Sequence, residues 1–133
     1  MTSRLQGEQA AVWAVVTDLY QAYLDDDRLR LEGHLADGCT MWETASPGLR
    51  TKADLVAARE AAAGKPAAPR KAPLRLDATE PTVIVHGDLA VEHHVLDAVF
   101  DDASLDEHLR CTSALRRVDG AWKFVHHHEE RLS

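Results

Sequence analysis

The sequence predicts an α+β fold, with helices covering one face of an antiparallel sheet. Helical periodicity is confined to the first half, and alternating strand patterns fill the second. Gly-Asp and Asp-Gly dipeptides at 87–88 and 119–120 punctuate those strands as hairpin turns. At 133 residues, 45% of them hydrophobic, the chain suffices for one domain with one core, expected to span 1–133.

Residues 8–25 read as the first helix, because Val12, Val16, Leu19, Tyr20, Tyr23 and Leu24 recur at three- and four-residue steps. Asp25-Asp26-Asp27 ends it. A short second helix follows over 28–36, with Leu29, Leu31 and Leu35 as its candidate buried side and Asp37-Gly38 as its stop. Cys39 to Thr44 reads as a strand and Ser46-Pro47-Gly48 as a turn. Thr51 is placed to cap a third helix, Lys52 to Ala63, with Asp54 near its start. Pro66, Pro69 and Pro73 make 64–73 a loop. Candidate strands then cover 74–80, 82–86, 89–100, 105–118 and 122–129.

Composition excludes several classes of partner. The net charge is −7 and there is no basic patch, so neither nucleic acid nor an anionic membrane is an expected partner. No apolar run approaches the roughly 20 residues of a membrane span. The stretch Met1 to Gln9 lacks the apolar centre of a signal peptide. Cys39 and Cys111 have neither disulfide-framework nor CxxC spacing, and a cytoplasmic protein with reduced thiols is expected. No Gly-rich phosphate loop and no G-x-S-x-G occurs, and no cofactor is expected.

The last three strands can be aligned from their turns. A two-residue turn at Asp119-Gly120 pairs Val118 with Ala121 and places Leu115 opposite Phe124, Ser113 opposite His126, and Cys111 opposite His128. This face is the more apolar, so His126 and His128 are expected inward and His127 outward. Arg110 and Glu129 become outer-face neighbours. A four-residue loop at 101–104 pairs Leu96 with Leu109, His94 with Cys111, Glu92 with Ser113 and Ala90 with Leu115. A bulge there would send His93 inward instead. Four ionisable groups on a concave face either form a satisfied network or line a wet pocket.

The closing segment Arg110-Cys-Thr-Ser-Ala-Leu-Arg-Arg-Val-Asp-Gly-Ala-Trp-Lys-Phe-Val-His-His-His-Glu-Glu130 resembles the final hairpin of the SnoaL-like, nuclear transport factor 2-like superfamily. The likeness lies in an Asp-Gly turn, a Trp two residues on and a His-x-His. Thr40-Met-Trp-Glu43 and Gly87-Asp88-Leu-Ala90 agree with it. The resemblance implies a cone of about three N-terminal helices on a strongly curved sheet of five to six strands, and often a dimer. Isomerases, polyketide cyclases, dehydratases, hydrolases and non-catalytic binding or association domains all use this fold, so it does not select the reaction.

His128, His126, Glu92 and His94 are the candidate catalytic residues, because imidazole titrates near neutrality and an apolar wall raises a carboxyl pKa. Trp42, Glu43, Tyr23, Cys111, Ser113, Leu96 and Phe124 are the candidate ligand contacts. One of Trp42 and Glu43 should point at the cone. His94, His126, His128 and Glu92 are metal-ligand types, but His94 lies two strands away and no metal is expected. The function expected is a cofactor-free isomerase, cyclase, dehydratase or hydrolase acting on a small hydrophobic ligand. The alternative is a non-catalytic ligand-binding or dimerising domain. Val91, Val95, Val99 and Val125 on the outer sheet face point to a homodimer.

Overall fold

A computed structural model describes residues 5–67 and 69–132. Part of the N-terminal stretch read above, and Ala68 of the proline-rich loop, lie outside the described residues. Helix α1 (Glu8–Leu24) forms as its periodicity requires, and Val12, Val16, Tyr20 and Ala22 are buried along one side. Helix α2 (Arg28–Gly33) is shorter than expected. Gly33 is a poor helix residue, and Leu35 and Ala36 instead enter strand β1 (Leu35–Trp42), where both are buried. Leu29 is left exposed.

Strand β2 (Arg50–Thr51) leads directly into α3 (Lys52–Ala62). A capping box starts that helix: the Asp54 N–H donates to Thr51 Oγ1 at 3.2 Å, and the Thr51 N–H donates to the Asp54 carboxylate at 2.9 Å. Arg59 donates to both carboxylate oxygens of Glu32, at 2.7 and 2.9 Å, which ties α3 to α2. Lys52 Nζ donates to the Leu35 carbonyl at 2.9 Å, which ties α3 to β1.

The remaining strands are β3 (Arg75–His86), β4 (Leu89–Val99), β5 (Glu107–Val118) and β6 (Ala121–Arg131). The segments 74–80 and 82–86 merge into the single strand β3, whose register shifts between Thr79 and Thr82 at Glu80-Pro81. Pro81 is tolerated because β3 is an edge strand. The sheet order is β2-β1-β6-β5-β4-β3. Every neighbouring pair is antiparallel except β1 and β6, which run parallel, so the sheet is mixed. No hairpin links β1 to β6, and nothing local forces them to oppose each other. Asp119 (φ 50°) and Gly120 (φ 81°) both adopt the left-handed conformation that a type I′ turn demands.

The β4–β5 register is the expected one, including Glu92 opposite Ser113 and His94 opposite Cys111. The β5–β6 register starts as expected, from Val118 with Ala121 to Leu115 with Phe124. It then slips by one residue, and Ala114 pairs with His126, Ser113 with His127, Thr112 with His128, and Cys111 with Glu129. Val125 is the extra residue of a β-bulge. The placement of His126 and His128 is therefore corrected: both belong to the outer face, and His127 and Glu129 turn inward. Arg110 consequently pairs with Glu130, to which it is ion-paired, rather than with Glu129.

The bulge has a structural partner. The β1–β6 register also shifts, between Leu35 and Thr40, and Gly38 (φ 79°) lies in that interval. Bulges in adjacent strands bend both together, which curls the sheet over the helices. The result is the α+β cone. Val12, Val16, Leu35, Leu109, Leu115 and Phe124, each at most 2% exposed, belong to its core. Among the described residues no helix is long and apolar enough to cross a membrane.

Candidate functional site

A cavity of about 520 Å³ opens between the helices and the inner face of the sheet. Its walls are apolar, with Leu31, Leu55, Leu76, Leu96, Leu109 and Phe124 among them. One set of polar groups stands where β1 and β6 run side by side, and another, with Asp26, Arg28, Glu32, Arg70 and Lys71, comes from the α1–α2 segment and the residues before β3. Trp42 pairs with His128 in that parallel register, so the next residues, Glu43 and Glu129, become neighbours on the inward face. Both line the cavity with His127, Tyr20 and Arg50.

The environments of these groups differ. Burial raises the Glu43 carboxyl above its ordinary pKa, and the nearby charge of Glu129 adds to the effect. The Arg50 guanidinium, 3.5 Å from Glu43, opposes it. His127 is 5% exposed. Its Nε2 lies 3.7 Å from Glu129 and its Nδ1 lies 2.8 Å from Ser113 Oγ. With a carboxylate facing Nε2, that nitrogen carries the proton, and the Ser113 hydroxyl donates to Nδ1.

A second polar chain lies behind the cavity wall. His94 Nδ1 donates to Glu92 Oε2 at 2.5 Å, and the Tyr20 hydroxyl donates to His94 Nε2 at 2.7 Å. Cys111 Sγ lies 3.9 Å from the same hydroxyl. The side chains of Glu92 and His94 are both 0% exposed, and Glu92 Oε1 has no hydrogen-bond partner. Burial pushes the Tyr20 phenol well above its usual range, so Tyr20 stays neutral. The His94 and His127 rings stack with centroids 6.5 Å apart, joining the two polar groups.

Several expected site residues are relocated. His126 is half-buried on the outer face, its Nδ1 2.7 Å from Thr40 Oγ1. His128 is exposed there, beside the Trp42 ring at 6.2 Å. Trp42 is 49% exposed and faces away from the cone, so Glu43 is the member of that pair that faces inward. Glu92, His94, Cys111 and Ser113 are buried on the inner side but stand behind the cavity rather than in its wall. Tyr23 lies at the rim, with the Arg70 guanidinium 4.9 Å over its ring. Leu96 and Phe124 line the cavity as expected.

His127, Glu129 and Arg50 are among the lining groups that strand alternation did not reveal. Tyr20 was legible as the third member of the four-residue series Val12, Val16, Tyr20. Among the described residues no group of three or more His, Cys, Asp or Glu side chains is arranged to hold a metal ion.

Fold and site define a helix-capped α+β cone enclosing a cavity with Glu43, His127 and Glu129 at one end. The chain belongs to the SnoaL-like domain family, which matches residues 12–129. Solved structures of the wider nuclear transport factor 2-like superfamily share its fold. An NTF2-like protein of unknown function from Pseudomonas putida is 23% identical, with a TM-score of 0.73 over 95% of this chain and 89% of that one. The CamKII hub homology domain of Chlamydomonas reinhardtii is 22% identical, with a TM-score of 0.70 over 96% of this chain and 100% of that one. A provisionally named scytalone dehydratase from Novosphingobium aromaticivorans is 13% identical, with a TM-score of 0.72 over 95% of this chain and 85% of that one. No curated protein matches the chain.

Proposed function

We propose that this protein is a cofactor-free acid–base enzyme acting on a small hydrophobic metabolite, of the isomerase, cyclase, dehydratase or hydrolase type. The observation that carries the reading is the pair Glu43 and Glu129 at one end of an apolar cavity, in unlike surroundings. Two carboxyls whose environments separate their proton affinities can act as acid and base at one pH. Glu43, held protonated to higher pH by burial and by its neighbour's charge, is the acid. Glu129 is the base, and the Nε2–H of His127 faces its carboxylate at 3.7 Å. Glu92 and His94 act from behind by holding Tyr20 in the wall. His126 and His128 are left out of this role because they sit on the opposite face.

The shared fold of the dehydratase-named structure supports this reading without selecting the reaction. The test is a metabolite-library thermal-shift screen followed by turnover assays of each stabilising compound. Glu129→Gln and Glu43→Gln are each expected to lower turnover about 10²–10⁴-fold, the usual contribution of a general acid or base. Turnover undiminished in both variants would refute the assignment. Ligands that stabilise the protein and are never converted would leave the non-catalytic binding domain instead.

A homodimer through the outer sheet face belongs to the same proposal. Trp42, Ile84, Leu89 and Val91 are each at least 40% exposed there, an apolar surface that a second copy would cover. The hub homology domain with the same fold makes an associating role the second reading. Light scattering is expected to give twice the 14.7 kDa chain mass, and a monomer would refute the dimer. Free Cys39 and Cys111 support a reducing, cytoplasmic setting.

A further inference from the structure

We propose that the outer face of the sheet is a pH-gated interface for a second copy of this chain, assembled near neutral pH and released by acid through His93, His126 and His128. The inference rests on the reading of that face as a homodimer surface and adds what controls it.

The register lays out the face. Thr82, His93, Thr112, His128 and Trp42 form one row across β3, β4, β5, β6 and β1. Ile84, Val91, Ala114, His126 and Thr40 form the next. The residue between the two rows on each strand (Val83, Glu92, Ser113, His127 or Met41) is buried, so both rows point away from the helices. Neither row holds a carboxylate, a lysine or an arginine. The band is therefore uncharged while its imidazoles are neutral, and Trp42, Ile84 and Val91 give it exposed apolar area. The five strands measure roughly 24 Å across, and the stretch from Leu89 to Leu96 about 27 Å along them. That is about 650 Å² before the pleat is counted, close to the roughly 800 Å² per partner of a standard interface.

A second copy is the partner that such a centre fits. A two-fold axis sets the middle of a face against itself, so a charged residue there would meet its own like charge. The middle strand of the five, β5, presents Thr112 and Ala114 instead.

The three imidazoles also lack a counter-charge. His34, His94, His108 and His127 each face a carboxylate, at 2.6, 2.5, 2.5 and 3.7 Å. His93 and His126 are hydrogen-bonded instead to Thr112 and Thr40, at 3.2 and 2.7 Å, and His128 lies beside the Trp42 ring. The acidic groups around the band are engaged or apart. Glu130 is bound to Arg110, Asp97 to His108, and Asp37 faces Lys52 at 3.5 Å. Glu80 shares an outer depression with His93 and His128, and among the described residues no ion pair joins it to either. Across the sheet, Glu92, Glu129 and Glu43 face His94, His127 and Arg50. Arg116 and Lys123 border the band on its other side.

Imidazole is the side chain that gains charge on mild acidification. Beneath a second copy, each added proton would sit in a water-poor contact with no acid to receive it. The dimer therefore holds fewer protons than two free copies, and association weakens as pH falls. Net charge acts in the opposite sense, because acid takes the chain from −7 toward zero at a pI of about 5.5 and lessens repulsion between copies. Loss of the dimer in acid is thus the signature of the band itself.

Sedimentation velocity of the intact protein, from nanomolar to high micromolar concentration, tests this between about pH 8 and about pH 6. If at least one proton is taken up per separating dimer, association should weaken about tenfold or more per pH unit. With His93→Gln, His126→Gln and His128→Gln combined, the dissociation constant should stay within about threefold over the same range. Each single substitution should flatten the dependence in part, which keeps the test decisive if the triple variant does not fold. His34→Gln, away from the sheet face, should keep the wild-type dependence. Wild-type association equal or tighter in acid would overturn the proposal. So would a triple variant as acid-sensitive as wild type, or a far-UV circular dichroism change accompanying the loss of dimer. A dimer indifferent to pH would overturn this inference alone, and a monomer at every pH would overturn the homodimer reading with it.

Discussion

Removing the buried pair behind the cavity should reveal strong coupling. Glu92 and His94 have fully buried side chains, joined at 2.5 Å, and Tyr20 depends on His94 for its acceptor. Glu92→Leu leaves the His94 Nδ1–H without a partner and should cost about 1–3 kcal/mol, the desolvation penalty of an orphaned buried donor. His94→Leu is worse, because it strands the whole Glu92 carboxyl and also the Tyr20 hydroxyl. The cost of breaking a buried pair from one side is about 3–5 kcal/mol. The double substitution removes both ionisable groups and orphans only the Tyr20 hydroxyl, so it should cost about 1–3 kcal/mol. The singles would therefore sum to well above the double, a coupling of about 2–3 kcal/mol or more. Urea denaturation of the four proteins at neutral pH measures this through the midpoint, with unchanged slopes confirming a two-state comparison. Each kcal/mol should move the melting temperature by roughly 3–5 °C for a chain of this size. If the singles each fell within about 0.5 kcal/mol of wild type, or simply added to the double, the geometry of the pair would not be an energetic unit.

Three further predictions test the rest of the fold. Thr51→Ala removes one half of the α3 capping box and should destabilise by about 1 kcal/mol, read as a lower urea midpoint, with Thr51→Ser close to neutral. Asp18 is lowered to a pKa of about 2, chiefly by its hydrogen bond from Arg30 and then by that from His34. Its folded form binds a proton less readily than the unfolded chain does. The stabilisation is therefore present above about pH 4 and is lost as pH falls toward 2; urea midpoints should drop across that window and drop less in Asp18→Asn. Burial pushes the Cys39 thiol up to about 11 and the Cys111 thiol up to about 12, so neither should react with an aromatic disulfide reagent in the native protein at pH 8, and both should react in denaturant.

The sequence by itself determined the layers, the turns and half of the register. Helix periodicity located α1, Thr51 and Asp54 marked the start of α3, and Asp-Gly set the closing hairpin, because each signal acts within a few residues of the chain. The β4–β5 register was legible for the same reason: loop length and alternation define it together. The bulge at Val125 was not legible. Three consecutive histidines make the pattern degenerate, since a one-residue slip replaces one imidazole by another and leaves no hydrophobic cost for the eye to detect. The parallel pairing of β1 with β6 was equally hidden, because no local turn joins those strands.

Tertiary structure decided these points through the pairing of strands far apart in the chain. The register shifts in β1 and β6 coincide, and the extra residue at Val125 inverts the alternation of β6 beyond it, which sets the side chains that meet the helices. That choice exchanged His126 and His128 for His127 and Glu129. It also brought Glu43, 86 residues before Glu129 in the chain, to its side at the end of the cavity. Local interactions made the strands, and only packing across the whole sheet decided which ionisable side chains face the cavity.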